Sequence, residues 1–187
     1  MLKLNNDETT YLISPKKLFV TQEEVNKVVS KMRGVLDNSK KVAYLLDNLR
    51  RIRYGGKKAL EFFGVSEDEV KNLYGMSILE VIFNPNLKFR QFIDKESFEA
   101  LALSRIVSFQ TELGFLIDNN ELDLIKRLKE FPDFERLWEK AKTLKIDPHL
   151  EEERTMRFKN GSEFYFAVIP VEYDRRFEVV EYIGVGN

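Results

Sequence analysis

The sequence predicts an α+β domain: an antiparallel sheet interrupted by a block of helices, with one further helix flanking it on the N-terminal side. Three observations carry this. Residues 41–56 and 154–183 read as strands bounded by turn residues, residues 57–144 carry helical periodicity, and residues 22–37 form a separate capped stripe. The division that follows is 1–40 as an arm plus an amphipathic flanking helix, and 41–187 as the domain proper. At 187 residues the chain is long enough to bury a sizeable core.

Composition narrows the class. Apolar residues make up 43% and charged residues 33%, which excludes disorder, and the formal net charge of −1 supplies no global field for nucleic acid or anionic lipid. No apolar run reaches the ~18–20 residues of a membrane span, and no charged-then-apolar leader precedes a cleavage site. The expectation is a soluble, cytoplasmic protein without direct nucleic-acid or membrane partners. With no cysteine, disulfides, thiolate metal sites and cysteine nucleophiles are excluded.

The first ~20 residues carry no clear period. Thr21 and Glu24 then form a capping box, and Val25, Val28, Val29, Met32, Val35 and Leu36 repeat at helical spacing. That stripe requires a partner surface, either the domain itself or a second copy of the chain. Lys41–Gly56 reads as two strands joined at Asp47-Asn48, and Lys57–Gly64 as a short helix capped by Gly64. Ser66 and Glu69 form a second capping box, opening a helical turn that stops at Tyr74–Ser77. "ILEVIF" follows and halts at Asn84-Pro85.

The longest helix is expected from about Asp94 to Leu113, where Phe98, Leu101, Ala102, Ile106, Phe109 and Leu113 repeat. Leu103 and Val107 widen that stripe, so contact on two sides is predicted. Two more helices are expected near 119–131 and 132–144. In "EFPDFERLWEK" (Glu130–Lys140), Pro132 is suited to opening the second of these, and Phe134, Leu137 and Trp138 share one face. The C-terminal strands are Arg154–Phe158, Glu163–Val171 and Phe177–Ile183, joined by an Asn160-Gly161 turn suited to type I′ geometry and a turn at Asp174-Arg175.

Catalytic and metal chemistry find little support. His149 is the lone histidine and has no cysteine or second histidine to join it, so no metal site is assigned. Asp118-Asn119-Asn120-Glu121 is followed by Leu122 and lacks the glycine of a calcium loop. Gly55-Gly56-Lys57-Lys58 lacks the Ser/Thr of a phosphate loop, and no nucleophile elbow is present. Arg50, Arg51, Arg53, Lys57 and Lys58 form a basic cluster that reads as a solvated face, or as a docking patch for an acidic partner or head group. No cofactor and no catalytic residue are expected.

The order of elements, together with "ALEFFGVSEDEVKNLYGMSILEVIF" (Ala59–Phe83), resembles the PAS fold. Phe83, Pro85 and Arg90 approximate the signature of the MmyB-like ligand-binding domain of bacterial transcription regulators. Glu121–Leu128 and the set Pro132, Phe134, Leu137 and Trp138 resemble two further motifs of that subgroup, and the likeness covers roughly residues 41–183. Three departures stand out. Gly56 occupies a position where PAS domains often carry asparagine, Gln110 stands where the subgroup usually has arginine, and residues 1–40 offer one helix rather than a helix-turn-helix.

The resemblance implies a non-enzymatic sensor of a small apolar ligand such as a fatty acid, regulating a partner protein or transcription. It also implies a lining for an acyl chain: Leu79, Phe83, Phe109, Leu113, Phe134 and Trp138 from three helices, facing Phe164, Phe166 and Val168 at strand period two. Arg105, then Arg90 and Tyr165, are the expected head-group donors. The competing expectation is a ligand-free PAS dimerisation or scaffold module, a homodimer formed through the helix at 22–37.

Overall fold

The computed structural model describes residues 20–66, 69–113, 119–144 and 156–184, the side chains of 111–113 and 119–121 apart. Its helices are α1 (Gln22–Asp37), α2 (Lys57–Phe63), α3 (Val70–Leu73), α4 (Ile78–Phe83), α5 (Lys88–Phe92), α6 (Lys95–Leu113), α7 (Asn119–Leu128) and α8 (Phe134–Ala141). Its strands are β1 (Val42–Asp47), β2 (Ile52–Gly55), β3 (Met156–Arg157), β4 (Glu163–Pro170) and β5 (Phe177–Gly184). The strands form one antiparallel sheet in the order β2-β1-β5-β4-β3. The last strand therefore lies beside the first, and the helices α2 to α8 are inserted between the two halves of a continuous sheet. The chain is an α+β fold, as its sequence predicts.

Both faces of the sheet are covered, by different elements. On the inner face Tyr44, Leu46, Phe164, Phe166 and Val180 join α2 and α4 to α8 in the main core. On the outer face Ala43, Leu45, Phe177 and Val179 meet Val25, Val28 and Leu36 of α1. The partner of the α1 stripe is thus the domain's own sheet, while Val35 is turned away and 63% exposed. The Thr21–Glu24 capping box is present, and the Glu24 carboxylate also pairs with Arg176 at 2.8 Å, which pins the start of α1 to the β4–β5 turn.

A bulge shapes the β1–β2 hairpin. Leu45 opposes Tyr54 and Leu46 opposes Ile52, leaving Arg53 as the extra residue. Ile52 consequently faces the main core while Tyr54 faces α1 and donates its hydroxyl to Asp37 at 2.9 Å. Arg53 reaches back to the fully buried Asp47 with Nη2–Oδ2 at 2.6 Å. Asp47 also accepts the N–H groups of Leu49 and Arg51, both at 2.9 Å, so one carboxylate organises the turn.

Both outer strands are covered over part of their length. On the β2 side the N–H of Ile52 donates to Met76 and that of Gly75 to Ile52. On the β3 side Ile93 bridges Phe158, and the N–H of Asp94 donates to Arg157. Such covering blunts strand-to-strand association.

Several local expectations are corrected. Pro132 does not open a helix: α8 begins at Phe134, and Asp133, at φ 68°, is its N-cap. Pro132 sits in the preceding turn. Nor is the β3–β4 loop a type I′ turn, since that requires two positive φ values and only Gly161, at 85°, has one. The Phe158 N–H instead donates to Ser162 and that of Gly161 to Phe158, a longer loop closed by a left-handed glycine. Gly56 has its own reason in place of the asparagine that the resemblance expects. A Cβ there would collide with the Leu36 carbonyl at the end of α1. His149, residues 1–19 and Arg154 lie outside the described residues.

Candidate functional site

The inner face of the sheet gathers large aromatic side chains into two groups. One is built on α8. Phe134 lies edge-on to Phe83 with centroids 5.1 Å apart, Trp138 follows it at 5.5 Å, and Phe109 of α6 meets Trp138 at 6.3 Å. Phe134 and Leu137 are completely buried, so the stripe read from the sequence is a docking face for α6. The Gln110 amide donates to the Trp138 carbonyl at 3.2 Å and ties the same two helices. The second group lies nearer β3 and β4: Phe158 stacks on Phe164 at 4.4 Å, and Phe62 touches Phe63, Phe89, Phe158 and Tyr182.

Between the sheet and α2, α4, α5 and α6 is a small, partly open space of about 10 Å³. Tyr44 of β1, Tyr182 of β5 and Phe166 of β4 line it from the sheet. Phe63, Phe89, Ile78, Val81, Ile82 and Leu101 line it from the helices, and Arg105 of α6 completes it. A volume of that size holds about one water-sized group.

Its polar members are two hydroxyls and a guanidinium. The Tyr44 and Tyr182 hydroxyl oxygens lie 3.4 Å apart, brought together because Val42 opposes Tyr182 and Tyr44 opposes Val180 across the β1–β5 ladder. Burial pushes both hydroxyls above the ordinary tyrosine range, that of Tyr182 strongly, while the Arg105 charge draws both back. They are therefore neutral donors at physiological pH. Arg105 itself lies over the Phe166 ring, its guanidinium carbon 4.5 Å from the centroid. Hydroxyl and guanidinium donors around a space otherwise lined by apolar side chains are suited to an oxygen-bearing, negatively charged head group.

Of the residues that the sequence singles out, Arg105 and Phe166 reach this space. Leu79, Phe83, Phe109, Phe134 and Phe164 are buried in the same core, with Trp138 and Val168 packed against it, but none is among the residues lining the space. The Leu113 side chain lies outside the described residues. Arg90 is engaged elsewhere: its guanidinium lies 3.6 Å over the Phe98 ring and pairs with Asp133 at 3.7 Å. Tyr165 falls on the outer face of the sheet, because the inward positions of β4 are Phe164, Phe166 and Val168. Tyr44 and Tyr182 are the polar residues that the sequence reading missed. Their only local signal is strand parity, with Tyr44 in step with Leu46 and Tyr182 with Val180.

The basic cluster is largely paired. Arg50 binds Glu178 at 2.7 Å, Arg53 binds Asp47, and Lys58 binds Glu61 at 2.8 Å. Among the described residues no group of three or more His, Cys, Asp or Glu side chains could hold a metal ion, and no helix is long and apolar enough to cross a membrane.

No family model matches the chain, and no curated protein matches it. Among solved structures it is similar to the PAS domain of an HTR-like protein from Haloarcula marismortui, at 12% identity and a TM-score of 0.33, over 88% of this chain and 97% of that one. It is also similar to the PAS domain of BvgS from Bordetella pertussis, at 15% identity and a TM-score of 0.39, over 87% of this chain and 89% of that one.

Proposed function

We propose that this chain is a non-enzymatic sensing module of PAS type, allied to the MmyB-like ligand-binding domains, whose ligand is a small apolar acid such as a fatty acid. The observation that carries the reading is the meeting of Arg105 with the Tyr44 and Tyr182 hydroxyls around a space otherwise lined by apolar side chains. In this reading a carboxylate oxygen occupies the space, with Arg105 balancing its charge. The acyl tail extends toward the aromatic groups of the core, where each buried methylene contributes about 0.8 kcal/mol.

Size sets a condition. Ligand pockets measure roughly 300–1,000 Å³, and the space here is about 10 Å³. An acyl chain therefore enters only by displacing core side chains, and the described form is the closed one. The same smallness favours a second reading, a scaffold or dimerisation module whose interior is filled by its own aromatics. In either case the signal passes to a regulatory protein, to transcription machinery or to a second copy of the chain.

Titration with a fluorescent fatty acid, alongside native mass spectrometry of the purified protein, separates the two. The sensor reading expects saturable uptake that Arg105→Met and Tyr182→Phe both weaken, with circular dichroism unchanged. Absence of saturable uptake for chains of about ten to eighteen carbons would leave the scaffold reading.

A further inference from the structure

The outer face of the sheet is only partly covered by α1. That helix lies over β1 and β2, and its contacts extend to Phe177 and Val179 at the start of β5. Beyond them β4 and the end of β5 turn Tyr165, Ala167, Ile169 and Ile183 outward. These form a strip along β4, with Ile183 beside Tyr165, Val179 beside Ile169 and the Glu181 carboxylate beside Ala167. Ile169 is 46% exposed, and the other three are half-buried.

Val20 packs against the outer-face cluster at the end where the β4–β5 turn holds Glu24 through Arg176. Residues 1–19 therefore join the fold beside the Ile169 end of the strip. Their apolar positions fall in three sets, Leu18-Phe19, Tyr11-Leu12-Ile13 and, farther from the fold, Met1, Leu2 and Leu4. In extended form the nine residues from Val20 back to Tyr11 span about 30 Å. On β4 the distance from Ile169 back to Tyr165 is about 14 Å at strand rise. The first set thus reaches Ile169 and the second reaches Tyr165 and Ile183.

We propose that residues 1–19 dock on this strip within their own chain, Leu18 and Phe19 against Ile169, and Tyr11 to Ile13 against Tyr165 and Ile183. A second copy is the competing occupant, and the tether decides between them. A segment joined directly at Val20 meets the strip at millimolar effective concentration, well above that of a free second copy at micromolar protein. The segment would then shield an apolar surface that is otherwise open to a partner.

The absence of cysteine makes the test direct. Leu12→Cys and Ile13→Cys are each combined with Ile183→Cys, and the control pairs Leu12→Cys with Val35→Cys on the exposed side of α1. A disulfide requires Cα atoms within about 7 Å. Under mild oxidation the proposal expects an intramolecular cross-link to Ile183→Cys, formed at least about tenfold faster than the control link, in a monomer by light scattering. Equal rates would overturn it, as would links that form only between chains, the mark of a second copy on the strip. A measurement without cysteine stands beside it. Replacing Tyr11, Leu12 and Ile13 by serine is expected to raise the fluorescence of a hydrophobic surface dye, and an unchanged signal counts against docking.

Discussion

Replacing Asp47 by asparagine tests whether one buried carboxylate holds the β1–β2 hairpin and, through it, the wall of the site. Asp47 is fully buried; Oδ1 accepts two backbone N–H groups at 2.9 Å, and Oδ2 accepts Nε and Nη2 of Arg53 at 2.8 and 2.6 Å. An amide of the same shape turns one of these acceptors into a donor that faces other donors. It also leaves the Arg53 guanidinium, whose side chain is 14% exposed, without its counter-charge. Breaking such a buried pair costs about 3–5 kcal/mol. At about 2–4 °C per kcal/mol for a chain of this size, Tm falls on the order of 10 °C. The loss also propagates: the Ile78 N–H at the start of α4 donates to Arg50 at 2.8 Å, and Ile78, Val81 and Ile82 line the site. Calorimetry supplies the first quantity, and hydrogen exchange at the Ile78 amide, accelerated in Asp47→Asn, supplies the second. Adding Arg53→Met removes the stranded charge and is expected to recover part of the loss. A single variant that loses less than about 1 kcal/mol, or a double variant whose loss is the sum of the singles, refutes the assignment.

Two further predictions concern the helices. Phe134→Ala removes a fully buried ring from between Phe83 and Trp138; urea unfolding is expected to show a loss of about 3–5 kcal/mol, with α8 exchanging its amides first. The second uses pH. The Arg176 guanidinium, and then the Thr21 N–H, hold the Glu24 carboxyl down at about 2 against an ordinary 4.5. A carboxyl lowered in the fold contributes stability that is complete above about 4.5 and is lost as pH falls toward 2. Because the Glu24 side chain is 38% exposed, the contribution is under about 1 kcal/mol. The difference between wild type and Arg176→Gln in urea midpoint is expected to shrink across that window, and a difference independent of pH would exclude the pairing.

The parts of this fold that local chemistry dictates were legible in the sequence. The Thr21–Glu24 and Ser66–Glu69 boxes, the Gly64 cap and the Asp47-Asn48 turn each depend on residues within a few positions of one another, and each is present. Where backbone handedness was decided by neighbours farther away, the reading failed: Asp133 takes the positive φ that starts α8, although Pro132 has the conformation preset for that role. The sequence left two destinations open for the α1 stripe, the domain or a second copy, although a signal that favours the domain is present in β1. The run "VAYLLD" is apolar on both parities, and all but its first residue are buried, the pattern of a strand covered on two faces. One face belongs to the helical block, and α1 covers the other.

The site was harder, for a reason rooted in what locates it. Ring size drew attention to Phe134 and Trp138, yet large rings at helical spacing report burial against another helix, here α6. A binding site inside an apolar core is located by its polar exceptions. Tyr44 and Tyr182 are 138 positions apart in the sequence, and only the β1–β5 register brings their hydroxyls together. Arg105 was legible because a cation one position from Ile106 lies at the margin of an apolar stripe and must find partners as the stripe is buried. Its partners include a ring face from β4, at the point where the two tyrosines converge. Once the strand order is fixed, parity alone sends Phe166 inward beside them and Tyr165 outward to the strip on the opposite face. The same alternation that places the site therefore also creates the apolar strip on the opposite face.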